Sequence, residues 1–263
     1  KAVPSHTLNT IGFFESCREL DGLDSFDWPE PQQSICAEDC LNVVNAVPEG
    51  FAILGMLWSP HFQDVCSAFG MEDAMVAMLE APELYRAIIQ RTLDFYLAVK
   101  EVFYEAVADR IHAILIGNDF GTQKNLMVAP RYLRQFVFDG TRRLVEQAKR
   151  YGLKVFHHSC GAIRSVIPDL IEMGVDVIHP IQARAAGMEA AGLKQDFGER
   201  VSFCGGVDVQ QLLVWGTPDE VRREVRRLRS IFPTGLVLSP SHEGILPDVS
   251  AENLTALFEE ARA

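Results

Sequence analysis

Polar, reactive side chains in this chain collect directly after short apolar runs: Asn118-Asp119, His157-His158-Ser159-Cys160, His179, Cys204 with Asp208 following, and Ser239-Pro240-Ser241-His242-Glu243. The most specific of these is His158-Ser159-Cys160. On a strand, alternate residues share a face, so His158 and Cys160 point the same way with Cα atoms about 6.6 Å apart, and His157 points to the other face. An imidazole nitrogen and a thiolate at that spacing can grip one tetrahedral zinc ion, and a catalytic zinc needs a third protein ligand and an open position. His242 is the best distant third ligand, with Cys204 and Glu243 as alternatives. An isolated H-x-C is otherwise a satisfied core histidine beside a buried thiol. Here it closes an apolar run and is followed by Gly161, which permits close backbone approach. Asp119 is suited to binding substrate or carrying a proton, or else to bonding local backbone amides in a turn. Asp208 and Gln210 line a site mouth or cap the next helix. Cys36 and Cys40, four apart with no second Cys/His pair nearby, read as structural.

The elements that must position these residues follow one pattern. Apolar, β-branched runs at Phe51–Trp58, Ile111–Asn118, Lys154–Cys160, Val175–Pro180, Val201–Val207 and Leu236–Ser239 alternate with segments of helical period. Thr217-Pro218-Asp219-Glu220 has the form of a capping box with proline at the first helical position, and Ser250 caps the last helix. Pro82 opens a long helix whose stripe Ile88, Ile89, Leu93, Tyr96, Val99, Phe103 and Val107 is core packing. Nearly continuous apolar strands alternating with helices imply parallel strands covered by helices. No G-x-G-x-x-G follows the first strand, which disfavours a dinucleotide-binding sheet and leaves a (β/α)8 TIM-type barrel. Polar residues closing the strands then sit where barrel active sites gather. A closed barrel needs eight strand–helix units of about 30 residues, so six runs leave the barrel about 60 residues short. The expectation is a single barrel domain over residues 1–263 that lacks its N-terminal units. Residues 1–50 are expected to be irregular, with an ordered loop over Asp21–Gln33.

Composition narrows the function classes. The 263 residues are 48% hydrophobic and 23% charged, the balance of a globular domain. Lys and Arg number 24 against 36 Asp and Glu, a net charge of −12, which makes a nucleic acid a poor partner. Most of the clustered arginines, Arg222, Arg223, Arg226 and Arg227, fall on the polar face of one helix. Six cysteines are too sparse for a disulfide scaffold, and no apolar stretch reaches a membrane-spanning length. The expectation is a cytoplasmic protein with reduced thiols and no membrane partner.

The segments GNDFGTQKNLMVAPRYLRQFV, VFHHSCGAIRSVIPDLIEMGVDVIHPIQ, FCGGVDVQQLL and LSPSHEGILPDVSAENL, in this order, resemble the uroporphyrinogen decarboxylase superfamily from Phe51 to the C-terminus. That resemblance implies a TIM barrel and one of two activities: cofactor-free decarboxylation of a porphyrinogen, or zinc-dependent methyl transfer between a small substrate, a corrinoid protein and a thiol or other acceptor. The H-x-C zinc pair of the methyltransferases falls on His158 and Cys160. Their third ligand, a cysteine, falls on His242, where the decarboxylases carry a histidine. The methyltransferase branch is the closer one, with zinc on His158, Cys160 and His242, with Asp119 and Gln123 catalytic, and with Asn118, His179, Gln182 and Asp208 binding substrate. The decarboxylase branch holds its polycarboxylate substrate with arginines from an N-terminal segment that has no counterpart here, and a net charge of −12 opposes such a ligand. In that branch Asp119 would stabilise the pyrrole-derived cation. A non-catalytic barrel relative is the third alternative. The missing strands would leave sheet edges that favour a homodimer.

Overall fold

The computed structural model describes residues 12–15, 17–24 and 26–263. Its contacts divide the chain into two compact units, one comprising the described residues up to Asn118 with Val128–Lys154, the other Asp119–Met127 with Val155–Ala263. Among the described residues there are six strands: β1 Leu54–Met56, β2 Ala113–Gly117, β3 Lys154–His158, β4 Val177–Ile181, β5 Ser202–Val207 and β6 Leu236–Pro240. Each lies within or against one of the six apolar runs. Their parallel pairing and their alternation with helices are those of an α/β fold of partial TIM-barrel type.

In the first unit β1 pairs in parallel with β2, Leu54 opposite Ala113 and Met56 opposite Leu115. The helix Pro82–Val107 starts on proline, whose missing N–H costs nothing at a first helical position. Its predicted stripe is buried at Ile88, Ile89, Leu93, Val99, Phe103 and Val107, while Tyr96 stays partly exposed. The described part of the N-terminal segment is less irregular than expected. A 3-10 turn spans Leu20–Leu23, and helices span Pro31–Ser34 and Ala37–Asn45. Pro31 starts the first of these helices, and Glu38 and Asp39 lie in the first turn of the second, where acidic side chains favour the helix dipole. Residues 1–11 of that segment lie outside the described residues.

In the second unit β3, β4, β5 and β6 pair in parallel in chain order. The two inner strands are buried on both faces, which is why they read as apolar runs and not as alternating ones. The register sets His157 opposite Ile178 and His158 opposite His179. A helix over Pro218–Ile231 carries the capping box, with Glu220 N–H donating to Thr217 Oγ1 at 3.3 Å and Thr217 N–H to Glu220 Oε2 at 2.8 Å. It buries Val221, Val225 and Leu228. Ser250 caps the helix Ala251–Arg262 by accepting from Asn253 N–H.

Candidate metal centre

The second unit builds the site at the ends of β3 and β4. Strand alternation turns His157 into the core, its ring stacked 5.7 Å from that of Phe120, and His158 to the opposite side. The chain leaves β3 at Ser159, whose N–H donates to the His179 carbonyl (2.8 Å) and whose hydroxyl accepts from Phe120 N–H (2.9 Å). Cys160 therefore lies in the turn after the strand, yet its sulfur comes within 3.5 Å of His158 Nε2. The turn needs glycine on both sides. Gly161 has φ +87°, and a Cβ there would stand 2.6 Å from the carbonyl oxygens of Gly121 and Thr122; one on Gly121 would stand 2.7 Å from the Cys160 carbonyl. Gln182 fixes the same turn by accepting from Gly161 N–H at 2.7 Å.

Asp119 completes a first donor group. Its Oδ1 accepts from Cys160 N–H at 2.8 Å and lies 3.2 Å from His158 Nε2, so an imidazole nitrogen, a thiol and a carboxylate oxygen all fall within 4.8 Å of one another. A second group uses the other side of the same ring. His158 Nδ1 is 2.9 Å from His179 Nδ1 and 3.7 Å from Glu243 Oε2. Burial alone would raise the Asp119 carboxyl, but the hydrogen bonds from His158 and the Cys160 amide hold it below the usual range. The Cys160 thiol is pushed far up by burial and then by the Asp119 and Glu243 carboxylates. Burial, then the neighbouring His158, brings His179 down to about 4. Nitrogen, sulfur and carboxylate oxygen are the ligand types that zinc prefers, and a cation would reverse the carboxylate pressure on the thiol, so the residues fit a zinc ion by donor chemistry.

The other predicted residues fall out differently. His242 is in neither donor group: its Nδ1 accepts from Gly244 N–H at 2.9 Å, and its ring forms part of the wall of a cavity of about 380 Å³ together with Gln182, Val209, Gln210, Ser241 and Leu246. The short 241–244 turn folds the ring back on its own backbone, so the donor that β6 brings to His158 is Glu243. Cys204 is buried inside β5 and joins neither group; burial raises its thiol to about 11 against the Ser239 hydrogen bond. Asn118 is not open for substrate: its oxygen accepts from Phe62 N–H (2.8 Å) and Gln63 N–H (3.4 Å) at the start of the helix His61–Phe69. Asp208 accepts from Gln210 N–H (2.9 Å) and Leu212 N–H (3.3 Å), bracing the loop ahead of the helix Leu212–Trp215, whose N-cap is Gln211, and Arg184 stands 3.8 Å away. Gln123 is exposed, and its carbonyl accepts from Ala186 N–H. Sequence reasoning missed the pairing of His179 with His158 and held Glu243 only as an alternative third ligand; both histidines close adjacent runs, but the register that sets them opposite each other is written in neither run.

Parallel strand–helix units carrying a histidine–cysteine–carboxylate cluster at the strand ends place the chain in the class of TIM-barrel-type proteins with a metal-competent site. The sequence model for uroporphyrinogen decarboxylase (URO-D) matches residues 11–263, and the chain belongs to that family. Curated protein sequences give no match. Among solved structures, a methyltransferase from Methanosarcina mazei is similar in fold, with a TM-score of 0.71 at 17% identity over 97% of this chain and 69% of that one. No helix among the described residues is long and apolar enough to cross a membrane.

Proposed function

We propose that the protein is a zinc-dependent methyltransferase that moves a methyl group between a small substrate, a corrinoid protein and a thiol or other acceptor. The observation that carries this reading is the convergence of His158 Nε2, Cys160 Sγ and the Asp119 carboxylate. These three residues would hold the metal; zinc bound there would keep a thiol acceptor deprotonated or polarise a methylated heteroatom. The protein's own groups do the positioning. Asp119 ties the Cys160 amide to the end of β3, and Gln182 braces Gly161, so the sulfur is held by two side-chain hydrogen bonds to the turn. The cavity beside His242 would seat a small substrate against apolar walls contributed by Val209 and Leu246.

The fold similarity to a methyltransferase supports this reading, and so does the engagement of the arginines near the strand ends. Arg164 is spent on Asp196 (2.5 Å) and on the carbonyls of Gly187 and Gly192, and Arg184 faces Asp208. That leaves little for a polycarboxylate substrate. Zinc analysis of protein purified without added metal tests the proposal: near one equivalent in the wild type, little in Cys160→Ser, and methyl transfer from a methylated corrinoid protein to a thiol only with zinc bound. Full zinc content in Cys160→Ser would overturn the ligand assignment, and turnover of a porphyrinogen by metal-free protein would overturn the activity.

A further inference from the structure

His158 is approached on both ring nitrogens, and the two approaches make opposite demands. Nε2 faces the Asp119 carboxylate at 3.2 Å and Cys160 Sγ at 3.5 Å; Nδ1 faces His179 Nδ1 at 2.9 Å, with Glu243 Oε2 beyond it at 3.7 Å. A neutral imidazole carries one N–H and one lone pair. Without a metal, the carboxylate asks for the proton on Nε2, so Nδ1 must accept from an N–H on His179. With a metal on Nε2, that nitrogen must offer its lone pair, and the proton has to sit on Nδ1 and be donated outward.

Only a partner that can both donate and accept at the same atom satisfies Nδ1 in both states. His179 is such a partner: either ring nitrogen of a histidine can carry the proton, and the β3–β4 register holds the two rings opposite each other in buried surroundings. We propose that His179 is a positioning residue that lets His158 exchange tautomer when zinc binds. The inference rests on the zinc reading above. The proton count closes. One proton leaves His158 Nε2, the proton on His179 Nδ1 passes to His158 Nδ1, and one proton is taken up at His179 Nε2. Both rings stay neutral, and the net proton released on metal binding is that of the Cys160 thiol. A carbonyl could only accept, and an amide could serve both states only by flipping. Glu243, farther away, is an acceptor for the loaded state alone.

The test uses the full chain labelled with ¹⁵N-histidine, whose seven histidines make ring-nitrogen spectra tractable. Long-range ¹H–¹⁵N spectra should place the His158 proton on Nε2 in zinc-free protein and on Nδ1 after zinc is added, with the His179 proton moving from Nδ1 to Nε2. In parallel, competition with a chromophoric chelator should show zinc bound about 10–100-fold more weakly by His179→Ala. His179→Asn, which returns a hydrogen-bonding amide near the Nδ1 position, should recover most of that loss, which a purely space-filling role would not predict. An unchanged His158 tautomer in zinc-loaded wild type, or unchanged affinity in His179→Ala, overturns this inference and leaves the zinc reading standing. Wild-type protein that binds no zinc overturns both. Should His179→Ala fail to fold, the wild-type spectra decide alone.

Discussion

Cys160 Sγ lies 3.5 Å from His158 Nε2 although Cys160 is two residues on and outside the strand that ends at His158. The convergence is made by the turn and by Asp119, not by the flat alternation of a strand. Asp119 binds the Cys160 amide and approaches the His158 ring, so one carboxylate holds both partners in place.

Asp119 and His242 should therefore behave differently as zinc donors. Asp119→Ala removes a donor and the brace on the turn, and zinc affinity should fall at least about tenfold. His242→Ala removes a ring that folds back on Gly244 and stands in neither donor group, and zinc affinity should stay within about threefold of wild type, less than the loss expected of a ligand's hydrogen-bonding partner. Chelator competition on both variants measures this. A large loss in His242→Ala would restore that histidine as the third ligand.

Gly161→Ala should damage stability and metal retention together. Its φ of +87° is strained for any side chain, and the added Cβ would stand 2.6 Å from two backbone oxygens, one of which accepts from Ala162 N–H at 2.8 Å. A cost of about 2–4 kcal/mol follows from strain plus backbone displacement. Thermal unfolding and zinc content read the two effects; a variant with wild-type values in both would show that the Gly121–Gly161 approach is not needed.

The strands were legible because parallel strands buried on both faces are written as continuous apolar runs, and β3, expected over Lys154–Cys160, stops only two residues early. The helix starts at Pro82 and Thr217 were legible because proline and the capping box act locally. Register was not. Nothing within the β3 segment says that His158 lies beside His179, since that depends on where two strands begin relative to each other. The return of β6 was misread for a related reason: His242 and Glu243 are neighbours, and which of them turns toward His158 is decided by the bend over 241–243, where Gly244 N–H holds the His242 ring, a property of three-dimensional chain direction. Asn118 looked like a strand-end ligand because its use at the start of a helix 56 residues earlier has no local trace.

Thr217→Ala should cost about 1 kcal/mol, the usual value of an N-cap hydroxyl. The side-chain half of the capping box depends on this hydroxyl, since Glu220 N–H loses its acceptor and the Glu220 carboxylate loses a hydroxyl donor, while the bond from Thr217 N–H to Glu220 Oε2 is kept. In a chain of this size the loss corresponds to a drop in Tm of about 2–4 °C. Serine at 217 should restore most of it, and a calorimetric comparison of the three proteins would expose any other origin of the effect.

Lys100 gives the fold a pH dependence of its own. Its side chain is fully buried, its Nζ donates to the Leu57 carbonyl at 2.7 Å, and burial brings its pKa from 10.5 down to about 7. In the unfolded chain the amine returns to its ordinary value. Between pH 7 and 10.5 the unfolded state therefore binds a proton that native Lys100 has released. Stability contributed by this residue must rise with pH across that window and level off below it, where both states are protonated. Lys100→Met, which keeps the length of the side chain and removes the titration, should unfold with a flatter dependence on pH. Denaturant midpoints for wild type and variant at pH 7 and pH 9 test this. The difference between the two proteins should shift in favour of the wild type at the higher pH, and an unchanged difference would mean that the native amine stays charged in its pocket.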